Sequence, residues 1–139
     1  MDEHKPDATF IDGVGVGGGV VDRLRQMNRT VIDVNNGATA VDDKQFMNVR
    51  AETWSKGRDW IKAGGCLPDD DQLVADLCAP EYHFDSKQRI AIERKEDMKR
   101  RGLASPDAAD ALMLTFARSI AAKSAPVMPF PTGGGWQGA

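Results

Sequence analysis

The sequence predicts an α/β domain of mixed strands and helices, and three observations lead to this prediction. A strand, a glycine-rich turn, a helix and a second strand follow one another within residues 8–34. Residues 82–92 hold two short alternating segments around Ser-Lys-Gln, as a β-hairpin does. Four further segments carry helix patterns. At 139 residues and 41% hydrophobic content, the chain is long enough to bury one core.

The first strand–helix–strand unit is predicted from its turns and its apolar spacing. Residues 8–11 form the first strand, and a turn with five glycines follows within residues 13–19. The second strand covers residues 30–34 and ends at Asn35-Asn36-Gly37, a strong turn sequence. Such units usually form parallel strand pairs. The helix between the strands is predicted to bury the stripe Val16, Val20, Leu24 and Met27.

The remaining elements are predicted from helix start and stop residues. A helix over residues 48–62 ends at Gly64-Gly65 and carries Trp54 on its buried stripe, and Pro68-Asp69-Asp70-Asp71 opens the next helix. After the hairpin, a basic helix covers residues 95–101. Ser105 is then predicted to cap an amphipathic helix of about 16 residues that reaches Ile120. The folded domain is assigned to residues 1–123, and residues 124–139 form a flexible tail rich in Pro and Gly.

Basic residues are concentrated in one segment of an acidic chain. The net charge of the whole chain is -3, which argues against a protein that binds nucleic acid over its whole surface. Residues 87–101, in contrast, hold seven basic and three acidic side chains. A locally basic face suits a protein that holds a polyanion at one place. The alternative is a solvated helix face with pairs such as Glu96 and Arg100.

The glycine-rich turn has two interpretations. Gly13, Gly15 and Gly18 match GxGxxG, and Asp33 lies 20 residues beyond the first glycine, as in dinucleotide-binding proteins. However, Asp12 directly precedes this turn, where its carboxylate would repel a pyrophosphate. The second interpretation makes Asp12, at the carboxyl end of a strand, a metal ligand.

Asp107 and Asp110 are the candidate partners of Asp12 in a metal site. They lie three residues apart in Ser-Pro-Asp-Ala-Ala-Asp-Ala-Leu and therefore share one face of a helix. Carboxylates alone make an oxygen site suited to Mg²⁺ or Mn²⁺, and two such ions are the usual means of cutting a phosphodiester. The alternative is that both acids only complement the dipole of the helix start or contact solvent.

Several blocks in this order resemble the nuclease domain of the large terminase subunit of tailed phages and prophages. One block is Phe-Ile-Asp-Gly-Val-Gly-Val-Gly-Gly-Gly-Val-Val-Asp-Arg-Leu, at residues 10–24, and a shorter one is Leu-Pro-Asp-Asp-Asp, at residues 67–71. The longest block begins with Tyr-His-Phe-Asp-Ser-Lys at residue 82 and ends with Ser-Pro-Asp-Ala-Ala-Asp-Ala-Leu at residue 112. The resemblance covers roughly residues 7–118.

This resemblance implies an RNase H-like mixed sheet flanked by helices and a two-metal endonuclease that cuts concatemeric double-stranded phage DNA. It places metal-binding and catalytic acids on Asp12, Asp107 and Asp110, with two Mg²⁺ or Mn²⁺ ions. It also implies that DNA phosphates are bound by Lys95, Lys99 and Arg100. The small terminase subunit and the portal protein are the implied partners, and the host cytoplasm is the implied location.

The chain departs from the pattern of this family at its amino-terminal end. The first acid of the family lies on a strand upstream of Asp12, but Asp2, Glu3 and Asp7 lie in no matching strand, and no ATPase motif GxxxxGK[ST] occurs. We therefore expect the first strands to be absent, the nuclease activity to be weak or lost, and an unpaired sheet edge to favour self-association. A non-catalytic prophage remnant that binds DNA or packaging partners is an alternative function, and a GxGxxG dinucleotide-binding enzyme fragment is another.

Overall fold

The computed structural model describes residues 6–121. No helix in that range is long and apolar enough to span a membrane, and the predicted tail at 124–139 lies outside it. The elements are, in chain order, β1 (Phe10–Asp12), α1 (Val16–Gln26), β2 (Ile32–Val34), α2 (Val49–Lys62), α3 (Asp71–Cys78), β3 (Tyr82–Phe84), β4 (Ile90–Ile92), α4 (Lys95–Arg100) and α5 (Asp107–Leu114).

Strands β1 and β2 form the parallel pair that the sequence predicts. Phe10 pairs with Ile32 and Asp12 with Val34, and the main-chain N–H of Gly13 extends the ladder by donating to the Val34 carbonyl at 3.0 Å. Within the described residues, β1 pairs with β2 alone, so its other edge has no neighbouring strand there. This arrangement brings the carboxyl ends of both strands to one edge.

The apolar stripe predicted for α1 is only partly correct. Leu24 is half-buried, but Val20 and Met27 are about half exposed, and Val21, which lies outside the predicted stripe, is fully buried. Gly15 precedes the helix with a φ of 69°, so the chain enters α1 through a left-handed conformation that favours glycine. The helix is therefore turned about its axis relative to the sequence prediction.

The core lies between α2, β4 and α5. Trp54, Ala109 and Met113 form one buried cluster, and Ala40, Phe46 and Ala51 form a second cluster beside it. The predicted helix over 48–62 is confirmed, because Asn48 caps it by accepting the N–H of Ala51 at 2.9 Å. These contacts fix α2 against α5, which is the arrangement that positions the site described below.

Strands β3 and β4 form the predicted antiparallel hairpin, with His83 opposite Ala91. The strand β4 also contacts the segment before α2, because the N–H of Met47 donates to the Ile90 carbonyl at 2.9 Å and the N–H of Ile90 donates to the Gln45 carbonyl at 2.8 Å. The described residues therefore form two separate two-stranded sheets, one parallel and one antiparallel, where the sequence predicted one mixed sheet, and the bridge between Phe46 and Ile90 extends the second.

The turn of this hairpin is closed by the side chain of Asp85. Its carboxylate accepts the main-chain N–H of Arg89 at 2.9 Å and of Lys87 at 2.8 Å, and it also accepts the guanidinium of Arg89. The hydrogen bonds from Arg89 lower the pKa of Asp85 below its ordinary value of 3.8.

We expect Asp85→Asn to lower the Tm at neutral pH, and we expect this difference to shrink in acid. A carboxyl group with a lowered pKa in the folded state stabilises the fold above its ordinary pKa, and this contribution is lost as the pH falls through the folded value. Thermal unfolding of the parent and the variant from about pH 7 to about pH 2 measures the difference. A difference in Tm that stays constant over this range would contradict the role of the carboxylate.

The last helix is shorter than the sequence predicts. The helix α5 ends at Leu114, well before Ile120, because the main chain tightens into turns in which the N–H of Thr115 and Phe116 donate three residues back. The Thr115 hydroxyl also donates to the Leu112 carbonyl at 2.7 Å. The predicted cap is wrong as well, because Pro106 occupies the cap position. The carboxylate of Asp76, from α3, instead accepts the main-chain N–H of Ala108 in the first turn at 3.0 Å. The two predicted acids remain in the first turn of α5.

Candidate active site

Asp12 lies at the shared edge where β1 and β2 end. Its Oδ2 accepts the Asn36 side-chain amide at 2.9 Å, and its Oδ1 accepts the N–H of Val14 at 3.3 Å. Asn36 belongs to the turn that directly follows β2, so the parallel pairing of the strands brings the two side chains together. Each carboxylate oxygen can accept more than one hydrogen bond, so Asp12 keeps capacity for a further ligand.

The first turn of α5 carries the other two predicted acids, and one ammonium group joins them. The Nζ of Lys95 lies 3.1 Å from Asp107 Oδ1 and 3.0 Å from Asp110 Oδ2. The Asp107 side chain is 78% exposed, whereas that of Asp110 is only 11% exposed. The two acids therefore share one cation but differ in their access to solvent.

Both oxygens of Asp110 are occupied by donors. The indole N–H of Trp54 donates to Oδ1 at 3.0 Å, and the Nε of Arg50 donates to the same oxygen at 3.2 Å. Lys95 holds Oδ2. Two cations and an indole thus surround this buried carboxylate.

Asp12 and this cationic group line one cleft. A cavity of about 480 Å³ is lined by Asp12 and Asn36, by the cations Arg50, Arg94 and Lys95, and by Glu96, among others. Burial lowers the pKa of Lys95, but its hydrogen bonds to Asp110 and Asp107 outweigh this effect and hold the pKa above its ordinary value of 10.5. The ammonium charge is therefore present at neutral pH, in the cleft that the carboxylate of Asp12 also lines.

A carboxylate is the ligand type that Mg²⁺ and Mn²⁺ take, and all three predicted acids offer one. Each oxygen of Asp12 accepts one hydrogen bond, and so does Oδ2 of Asp110, whereas Oδ1 of Asp110 accepts two. Asp110 therefore has fewer free acceptor positions than Asp12, and Asp107 is the more exposed acid of α5. Among residues 6–121, no three Asp, Glu, His or Cys side chains come together as a metal-binding group.

The predicted DNA contacts differ in their surroundings. Lys95 is paired with the two acids of α5, and Arg100 contacts Asp97 at 2.7 Å. Lys99 is exposed on α4. Arg94, which the sequence analysis did not single out, is exposed and lines the cleft. The site also contains Asn36 and Arg50, of which the sequence showed only a turn and a position in a helix.

The whole fold is similar to several solved structures of one phage protein domain. The chain superposes on the nuclease domain of the large terminase subunit of bacterial virus Sf6 with a TM-score of 0.69 and 22% identity, covering 86% of this chain and 68% of that one. The chain has the fold of a phage terminase nuclease domain. This is an RNase H-like fold, as the resemblance implied.

Two further structures of the same Sf6 domain extend the comparison. A lysine-to-alanine variant with manganese and a variant of the same kind with calcium each superpose with a TM-score of 0.69 and 21% identity. The first covers 85% of this chain and 68% of the variant domain. No protein-family description matches the chain, and no curated protein matches it by sequence. The assignment of the terminase nuclease fold therefore rests on structural similarity, because the sequence identity is low.

Proposed function

We propose that this chain is a metal-dependent endonuclease domain of the terminase type, which cuts concatemeric double-stranded phage DNA. The observation that carries the proposal is the cleft that Asp12, at a strand end, lines together with Lys95, whose ammonium holds the two acids of α5. The terminase nuclease fold supports the same function. In a packaging machine, the small terminase subunit and the portal protein would be its partners, in the host cytoplasm.

Asp12 and Asp107 are the residues that would hold Mg²⁺ or Mn²⁺, and the intact catalytic site would hold two ions. Bound there, the ions would lower the pKa of a water molecule and stabilise charge on a phosphate oxygen. Asn36 fixes the orientation of the Asp12 carboxylate through its 2.9 Å hydrogen bond. Asp110 holds the ammonium of Lys95 beside the cleft, where it attracts the negatively charged backbone of the substrate.

The basic residues around α4 would hold DNA phosphates without reading base sequence. Lys99 is exposed, and Arg94 reaches into the cleft, so these two residues are accessible to a phosphate. Lys95 and Arg100 would also contribute positive charge, although each has an acidic partner within the chain. We expect DNA binding to weaken as the salt concentration rises.

A plasmid-nicking assay with Mn²⁺ tests the proposed nuclease. We expect slow Mn²⁺-dependent nicking by the parent chain, because among residues 6–121 no three metal-ligating side chains come together. Asp12→Asn and Asp107→Asn should abolish the nicking. Asp22→Asn is the matched control, because Asp22 is exposed on α1 and its loss changes the net charge equally. Equal nicking by Asp12→Asn and Asp22→Asn would contradict the proposal.

A non-catalytic module that binds DNA is the second candidate. The two cations that already neutralise Asp110, and the lack of a three-ligand group among residues 6–121, favour it. In that case the parent chain would bind duplex DNA in a salt-dependent manner but would bind Mn²⁺ no better than Asp12→Asn does. Titration with Mn²⁺, followed by the electron paramagnetic resonance of the free ion, separates the two candidates without relying on cleavage.

A further inference from the structure

We propose that Arg50 is a positioning residue that fixes the turn supporting Asp12 relative to Asp110 of α5 and to the segment that carries Lys95. The inference rests on the proposed nuclease function. It concerns a residue that the sequence showed only as part of a helix. Arg50 lies in the first turn of α2, lines the same cleft as Asp12 and Lys95, and contacts these two parts of the site, one through its main chain and the other through its side chain.

The main chain of Arg50 contacts the turn after β2, whose Asn36 supports Asp12. Its N–H donates to the Asn36 carbonyl at 3.0 Å. The side chain of the same asparagine donates to Asp12 Oδ2 at 2.9 Å. Asn36 therefore accepts a hydrogen bond from Arg50 and donates one to Asp12, so Arg50 fixes the residue that orients the Asp12 carboxylate.

The side chain of Arg50 contacts α5 and the segment before Lys95. Its Nε donates to Asp110 Oδ1 at 3.2 Å, and its Nη1 donates to the Glu93 carbonyl at 2.6 Å. Glu93 lies two residues before Lys95, so this second bond fixes the start of the segment that carries the ammonium group. The guanidinium carbon also lies 5.5 Å from the ring centroid of Trp54, whose indole donates to the same Asp110 oxygen.

This set of contacts requires arginine. A guanidinium is planar and has five N–H donors in a fixed arrangement, so it can bond a carboxylate and a carbonyl while it lies on an aromatic ring. A lysine has the charge but cannot make these contacts together. The Arg50 side chain is only 13% exposed, so water does not readily replace its bonds. Arg50 thus connects the end of the β1–β2 pair with α5 and with the segment after β4, and the two strand pairs are not joined to each other among the described residues.

Substitution of Arg50 separates this role from a general contribution to stability. Arg50→Met and Arg50→Lys are compared with Arg58→Met, a control on the same helix whose partner Asp59 is its exposed neighbour. The readouts are the Mn²⁺ dissociation constant, the Tm, and kcat and KM for plasmid DNA. We expect both Arg50 variants to weaken Mn²⁺ binding by about tenfold and to lower kcat with little change in KM, as loss of an outer-shell partner does.

The outcomes distinguish this inference from the proposed function. If folded Arg50→Met keeps the Mn²⁺ affinity and kcat of the parent chain, Arg50 is only structural and the inference is overturned. If Arg50→Met does not fold, Arg50→Lys decides in the same way, because it keeps the charge and the aliphatic stem. If the parent chain binds no Mn²⁺, the proposed function and this inference both fail. If Arg58→Met weakens Mn²⁺ binding as much as the Arg50 variants do, the effect is general and the inference also fails.

Discussion

Asp110→Asn is expected to destabilise the chain by about 2–4 kcal/mol, whereas Asp107→Asn is expected to cost less than about 1 kcal/mol. The Asp110 carboxylate is 11% exposed and neutralises Arg50, which is 13% exposed, and Lys95, which is 41% exposed. Asparagine keeps one acceptor oxygen for the indole of Trp54. It loses the charge, however, and leaves the two cations without a buried counter-charge.

Asp107 has the same chemistry in a different environment. Its carboxylate is 78% exposed and contacts Lys95 alone among the hydrogen bonds described, so water can replace that contact. Asp107→Asn should therefore remove Mn²⁺-dependent nicking while leaving the free energy of unfolding almost unchanged. Urea unfolding of the two variants, beside the parent chain, measures the difference. Equal destabilisation by both variants would show that Asp110 does not anchor α5.

This division between Asp107 and Asp110 was not available from the sequence. The motif places both acids on one helix face, and local spacing treats them alike. The difference comes from Trp54 and Arg50, which precede Asp110 by 56 and 60 residues. Contacts at that separation depend on how α2 packs against α5, and no local pattern encodes this packing.

Elements with their own capping residues were predictable, and elements without them were less so. Asp70 caps α3 by accepting the N–H of Gln72 and Leu73, and the predicted helix start at that position is confirmed. In contrast, the cap residue of α5 is Pro106, which offers no side-chain acceptor, and the apolar spacing of this helix continued past Leu114 although the main chain turns there. Periodicity describes which face a helix would bury, but the end of the helix depends on the competing hydrogen bonds of Thr115.

The glycine-rich turn shows the same limitation at atomic scale. The fingerprint GxGxxG selects Gly13, Gly15 and Gly18, but the closest approach of α1 to β1 occurs at Gly17. A Cβ atom on Gly17 would lie 1.7 Å from the Asp12 carbonyl oxygen, which belongs to the backbone and cannot rotate away. The sequence showed that glycine was needed in this turn, and only the packing shows which glycine brings the helix close to Asp12.

Gly17→Ala is therefore expected to lower the free energy of unfolding by about 1–3 kcal/mol, because the first turn of α1 must move away from β1. The same shift would move Asp12, so we also expect Mn²⁺ binding to weaken in the folded variant. Gly19→Ala is the matched control, two residues further along the same helix, where an added Cβ meets no atom within 4 Å.

In the control, alanine has the higher helix propensity, so Gly19→Ala is expected to stabilise the chain by up to about 1 kcal/mol and to leave Mn²⁺ binding unchanged. Urea unfolding and Mn²⁺ titration of both variants give the two comparisons directly. If the two variants change the free energy of unfolding in opposite directions and only Gly17→Ala weakens metal binding, the close approach of α1 determines the position of Asp12. If Gly17→Ala instead stabilises the chain as Gly19→Ala does, α1 does not pack against the end of β1, and the glycines serve only the turn.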